Sequence, residues 1–152
     1  MANIVTVKIS GLDDLEKKLY DLPTKFAKRA MRNALKPAAT IWKDEMAATA
    51  PEKTGWLKSQ AAVSIHLSAK EEAGTASVGF TKQQNPALLA QQQRGKRKHV
   101  PSASNEAFWY EFGTHGKPGH HFMLQAYQSM KEKVLDTFVA KLKESFNEVF
   151  GR

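Results

Sequence analysis

The sequence predicts an α+β fold: a mostly antiparallel sheet of about four strands, helices packed on one face of it, and a long C-terminal helix. Three observations lead there. Several short runs alternate apolar with polar residues, the period of a strand that buries one face. Longer runs repeat apolar residues every three or four positions, the period of an amphipathic helix. The runs follow the order β, α, α, β, β, loop, β, α, which segregates helices from strands.

In residues 4–9, Val5, Val7 and Ile9 alternate with Thr6 and Lys8, and Ser10-Gly11 ends this first strand. Leu12, Leu15, Leu19 and Leu22 then recur at helical spacing. Asp13, Asp14 and Glu16 occupy the first turn, where the helix dipole favours negative charge. Pro23 breaks this short helix. A longer one begins at about Thr24, whose hydroxyl suits an N-cap, and Phe26, Ala30, Ala34, Ala38 and Ile41 form its stripe. Pro37 predicts a kink or a break, because proline lacks the amide donor and crowds the preceding turn. Trp42 and Met46 carry the apolar face on to Ala50-Pro51.

Pro51 and Gly55 then punctuate a rigid corner from helix to strand. Ala61, Val63, Ile65 and Leu67 alternate with polar residues, and a second short strand over residues 77–80, across a turn at 71–75, predicts a hairpin. Residues 82–104 are expected as one long mobile loop, with room for a helical turn or two over residues 85–93. The loop is rich in glutamine and carries the run Arg94-Gly95-Lys96-Arg97-Lys98-His99.

Next comes Phe108-Trp109-Tyr110-Glu111-Phe112-Gly113-Thr114. Aromatics favour a pleated, half-buried surface, so this segment reads as a strand with Phe108, Tyr110 and Phe112 on one face and Trp109 and Glu111 on the other. Bulky groups on both faces predict either a central strand or one covered by another chain. From Phe122 onward, Met123, Ala126, Met130, Val134, Phe138, Leu142, Phe146 and Val149 mark the C-terminal helix. The core candidates are Ile41, Val63, Ile65, Phe112, Val134 and Leu142.

With 152 residues, 41% hydrophobic and 25% charged, the chain is expected to form a single domain that buries roughly 70% of its unfolded surface. It has neither a long apolar run nor an apolar leader after Met1, so a soluble, cytosolic protein with no membrane partner is expected. The absence of cysteine excludes disulfides and thiolate metal sites. A formal charge of +8 favours contact with acidic surfaces or nucleic acid.

Enzymatic groupings are weak. Glu111 has no second carboxylate nearby in sequence with which to divide acid and base roles. Thr54-Gly55 lacks the further glycines and the lysine of a phosphate loop. His115, His120 and His121 lie close together, but their spacing fits no closed zinc pattern, and a solvated turn explains them better than a metal-dependent nuclease site. No cofactor, metal or catalytic residue is expected. The basic run at 94–98 has no acidic residue near it in sequence and would attract phosphates, or else form a solvated loop.

Five features taken together carry a resemblance: Gly11-Leu12-Asp13-Asp14-Leu15, Ala50-Pro51 with Thr54-Gly55, Leu57-Lys58-Ser59, Tyr110-Glu111-Phe112-Gly113-Thr114, and Phe122-Met123. In order and spacing the chain resembles, over nearly its whole length, the tail-completion or head-tail connector family of long-tailed, siphovirus-type bacteriophages. Where that family has an Arg-Pro-Phe step, this chain has His120-His121-Phe122. The resemblance implies a non-enzymatic α+β subunit of an oligomeric ring, a hexamer or dodecamer. The ring would contact portal-side head proteins and tail tube or terminator proteins, in a virion neck assembled in the host bacterial cytoplasm. The interface candidates on this reading are Arg94, Arg97, Lys98, Trp109, Glu111 and Thr114. The alternative is a DNA-binding module that uses the basic loop 94–99.

Overall fold

The computed structural model describes residues 13–20, 24–52, 55–68 and 74–151. The strand expected over residues 4–9 lies outside them, as do Leu12, Leu22 and Pro23. The described elements run α1 (Asp13–Tyr20), α2 (Thr24–Thr49), α3 (Trp56–Ser59), β1 (Ala61–Leu67), β2 (Gly74–Phe80), α4 (Pro86–Gln93), α5 (Ala103–Phe112), β3 (Gly113–Thr114), β4 (Lys117–Pro118) and α6 (Phe122–Phe150). Helix and sheet are mixed, with helix predominant and a long C-terminal helix as expected. The sheet differs. Among the described residues there are two small two-stranded sheets, β1 with β2 and β3 with β4, rather than one of about four strands.

The chain divides into two compact units. One contains α1, α2 as far as Trp42, the parts of β1 and β2 within residues 63–78, and α6 from Met130 onward. Its core joins small residues to large ones. Ala27, Ala30, Ala34 and Ala38 of α2 cluster with Phe138, Leu142 and Phe146 of α6, and Leu15, Met31, Leu35, Val134 and Val139 pack against them. Alanine at every fourth position, with Ala27 beside it, lets aromatic rings approach the α2 backbone closely, and alternating small with large groups fills such a seam.

Helix α2 continues through Pro37 as one element, so of the kink or break expected there the break does not occur. The carbonyl that loses its partner belongs to Asn33, an exposed residue where water can replace the missing amide. Of the core candidates, Leu142 is buried and Ile41, Val63, Ile65 and Val134 are half-buried.

The other unit contains the end of α2 from Lys43, α3, residues 61–62 and 79–80, and everything from α4 to Ser129 in α6. Met46, Ala50, Leu57, Val100, Ala103, Ala107, Phe122 and Ala126 are its deeply buried apolar residues, and the tilted rings of Phe80 and Phe122 lie 5.9 Å apart. Short segments are closed here by specific hydrogen bonds. The Gln83 and Thr81 carbonyls accept from the Ala103 and Ser104 amides at 2.8 and 2.9 Å, and Gln84 bridges to Ser102, so the segment between is an excursion stapled at its base.

Within that excursion, expected as a loop over 82–104, Asn85 caps α4 by accepting the Ala87 amide at 3.0 Å, and Pro86 fits the first helical turn. The helical turns expected over residues 85–93 are thus α4.

The segment read as an aromatic strand is helical, and this correction matters most for the site. Residues 103–112 form α5, with Ser102 accepting the Asn105 amide at 3.3 Å as its N-cap. The buried face of α5 is Ala103, Ala107 and Glu111, at helical spacing but without a bulky apolar side chain. The aromatics point away from it, and Phe112, a core candidate, is 51% exposed. A reading that takes large apolar groups as inward-facing therefore assigns the wrong period.

Candidate interaction site

Helix α5 ends where Gly113 takes a φ of 86°, and the chain turns through the β3–β4 ribbon, with Gly113 opposite Pro118 and Thr114 opposite Lys117. It then re-enters helix at Phe122. Glu111 holds this corner. Its carboxylate accepts the Met123 and Leu124 amides at 2.7 and 3.1 Å, and the Tyr110 and Glu111 carbonyls accept the His120 and His121 amides at 2.7 and 3.2 Å. The first amides of a helix lack internal partners, and a carboxylate there also meets the positive end of the dipole.

Two glycines make the approach possible. A Cβ on Gly119 would lie 2.7 Å from the Phe112 carbonyl carbon, and one on Gly113 would lie 2.9 Å from that of Pro118. The Glu-Phe-Gly-Thr motif is therefore in large part a device for joining α5 to α6.

What the corner leaves outside is aromatic. Phe108, Trp109 and Phe112 are 48%, 42% and 51% exposed, and the rings of Phe108 and Phe112 lie 4.8 Å apart. Trp109 also lines an open concavity of about 440 Å³. Its apolar wall includes Leu88, Pro101, Tyr110 and Pro118; its charged groups are Arg97, Lys117 and Glu106, and His120 also lines it.

The basic run lies beside this concavity as a hydrogen-bonded turn. The Gly95 and Lys96 amides donate to the Gln92 and Gln91 carbonyls at 2.9 and 3.0 Å. The Gln92 amide group donates to the Lys98 carbonyl, and the Arg97 Nε to the His99 carbonyl, each at 3.1 Å. Among the described residues the ion pairs are Lys43–Asp44, Lys58–Glu52 and Lys141–Glu144, so no carboxylate of these residues pairs with Arg94, Lys96, Arg97, Lys98 or Lys117.

Of the six interface candidates, Arg97, Trp109 and Thr114 come together in the concavity. Arg94 and Lys98 are exposed on the adjoining turn. Glu111 stands apart, 4% exposed and occupied with capping. Sequence reasoning missed Lys117 and the wall residues Leu88 and Pro101, which come from separate elements and share no local pattern.

His115, His120 and His121 lie along the same corner, and among the described residues no set of three metal-binding side chains gathers there or elsewhere. Also among the described residues, no helix is long and apolar enough to cross a membrane. No protein-family model matches the chain, and no curated protein or solved structure matches it either.

Proposed function

We propose that this chain is a structural virion-assembly protein that joins the head of a long-tailed phage to its tail tube, as a subunit of an oligomeric ring. Its work is adhesion between copies and neighbours, with no bond made or broken in a substrate. The observation that carries the reading is the uncovered aromatic face of Phe108, Trp109 and Phe112, on the helix that runs into Tyr110-Glu111-Phe112-Gly113-Thr114, one of the five features of the resemblance. Monomeric proteins rarely leave large contiguous apolar patches bare, and aromatic residues are enriched where partners bind.

On this reading the ring is a hexamer or dodecamer. It meets portal-side proteins on one side and tail tube or terminator proteins on the other, in a neck assembled in the host cytoplasm. The test is electron microscopy of particles made without this chain. Filled heads and finished tails that stay separate are the expected result; intact virions would overturn the reading.

A second reading, a DNA-binding module, is favoured by the exposed turn at Arg94, Lys96, Arg97 and Lys98, whose charges meet no carboxylate among the described residues. Unneutralised Lys and Arg bind DNA phosphates in a salt-dependent way. The two readings separate when these charges are reversed and both DNA affinity and particle assembly are measured.

A further inference from the structure

We propose that the concavity beside Trp109 is a docking groove for an acidic protein segment that inserts one large apolar side chain. The proposal deepens the assembly reading and rests on it for the source of the segment, a neighbouring subunit of the particle.

The groove has the dimensions and surface of a side-chain receptacle. Its volume of about 440 Å³ falls within the usual range for a binding pocket, and Leu88, Pro101, Trp109 and Pro118 give it an apolar wall. Such a wall is worth most when an apolar group displaces water from it. The anchor of a docked segment is generally one aromatic or aliphatic side chain, surrounded by contacts of smaller weight.

The rim is cationic and unmatched. Arg97 and Lys117 line the groove, and Arg94, Lys96 and Lys98 lie exposed on the adjoining turn, with none of them in an ion pair among the described residues. No acidic residue occurs in the sequence between Gly74 and Asn105. A partner with carboxylates on either side of its anchor therefore meets a complementary field, which speeds encounter and rejects basic competitors.

Glu106 is the one acidic residue in the lining, so the carboxylates of a docked segment face the cationic rim, while Glu106 can accept an amide donor from the backbone around the apolar anchor. Arg97 comes from the turn after α4 and Lys117 from β4, so the two cations reach the groove from different elements.

The test is fluorescence anisotropy with labelled probes on the whole chain. The probes are a short peptide of Asp and Glu around one Phe, the same peptide with Ser for Phe, its Lys-substituted inverse, and single-stranded and duplex DNA. The acidic Phe peptide is expected to bind, and to lose about tenfold or more in affinity with Ser for Phe, in Trp109→Ala, and in Lys117→Glu. Circular dichroism of each variant separates lost binding from lost fold, and Leu88→Asp is a second wall variant if Trp109→Ala is unstable.

Equal affinity for the Phe and Ser peptides, or indifference to Lys117→Glu, would overturn the groove. So would tighter binding of DNA that depends on Trp109 and Lys117. If the peptide binds but particles lacking the chain still join, the assembly reading fails and the groove stands. If it does not bind while heads and tails stay apart, the groove fails and the assembly reading stands.

Discussion

The Glu111 carboxylate receives the Met123 amide at 2.7 Å and so ties the last turn of α5 to the first turn of α6. One side chain thus fixes where the aromatic face of α5 stands relative to the start of the C-terminal helix within this unit. It also leaves Glu111 buried, only 4% exposed.

Replacing Glu111 with alanine leaves the Met123 and Leu124 amides without their acceptor and is expected to destabilise the chain by about 1–3 kcal/mol. Glu111→Gln keeps one carbonyl acceptor and should lose less. Urea unfolding of the two variants checks the order. Equal stability of Glu111→Ala and the parent would mean that the cap does not support the corner.

The close approach at Gly119 gives a sharper effect. Because a methyl there overlaps the Phe112 backbone, Gly119→Ala should cost about 3 kcal/mol or more, through strain and displacement of the ribbon. Gly79→Ala is the internal control, since nothing lies within 4 Å of a Cβ at that position. Thermal melts of the pair should differ clearly, with Gly119→Ala the lower.

These two residues also show what the sequence could and could not convey. The α2 and α6 stripes were legible because alanines recur every four residues in one and large apolar groups every three or four in the other; burial follows that spacing except at the ends, where Phe26 and Val149 are exposed. The β1 run was legible from alternation; β2 was legible only over residues 77–80, since it begins at Gly74, within the expected turn. Helix α5 was not, since its inward face is Ala103, Ala107 and Glu111 while its outward face holds the aromatics. The usable signals were its ends, Pro101-Ser102 before it and Gly113 after it, and they were outweighed by β-propensity. The groove was half legible: Arg97, Trp109 and Thr114 were chosen from sequence, whereas Lys117 joins them only through the tertiary fold.

If the aromatic face serves adhesion, Trp109→Ala combined with Phe112→Ala should leave a folded chain, because both side chains are about half exposed. Stability should change by less than about 1 kcal/mol, judged by the small effects usual for surface sites. Phage carrying the double change should nevertheless yield separate heads and tails. Normal infectivity from a folded double variant would count heavily against this surface.

Charge reversal at Arg94, Arg97 and Lys98 should impair assembly more as salt is lowered, since exposed charges act over about 10 Å at 0.1 M ionic strength and further below it. Counting joined particles at two salt concentrations measures this. Loss of DNA affinity with assembly unaffected would instead favour the DNA-binding module.

The most direct measurement is where the chain resides in the finished particle. Cryo-electron microscopy of purified virions, with the chain carrying a compact tag, should show extra density arranged as a closed ring between portal and tail tube. A chain that is absent from purified virions, or that works as a lone soluble protein, would contradict the account.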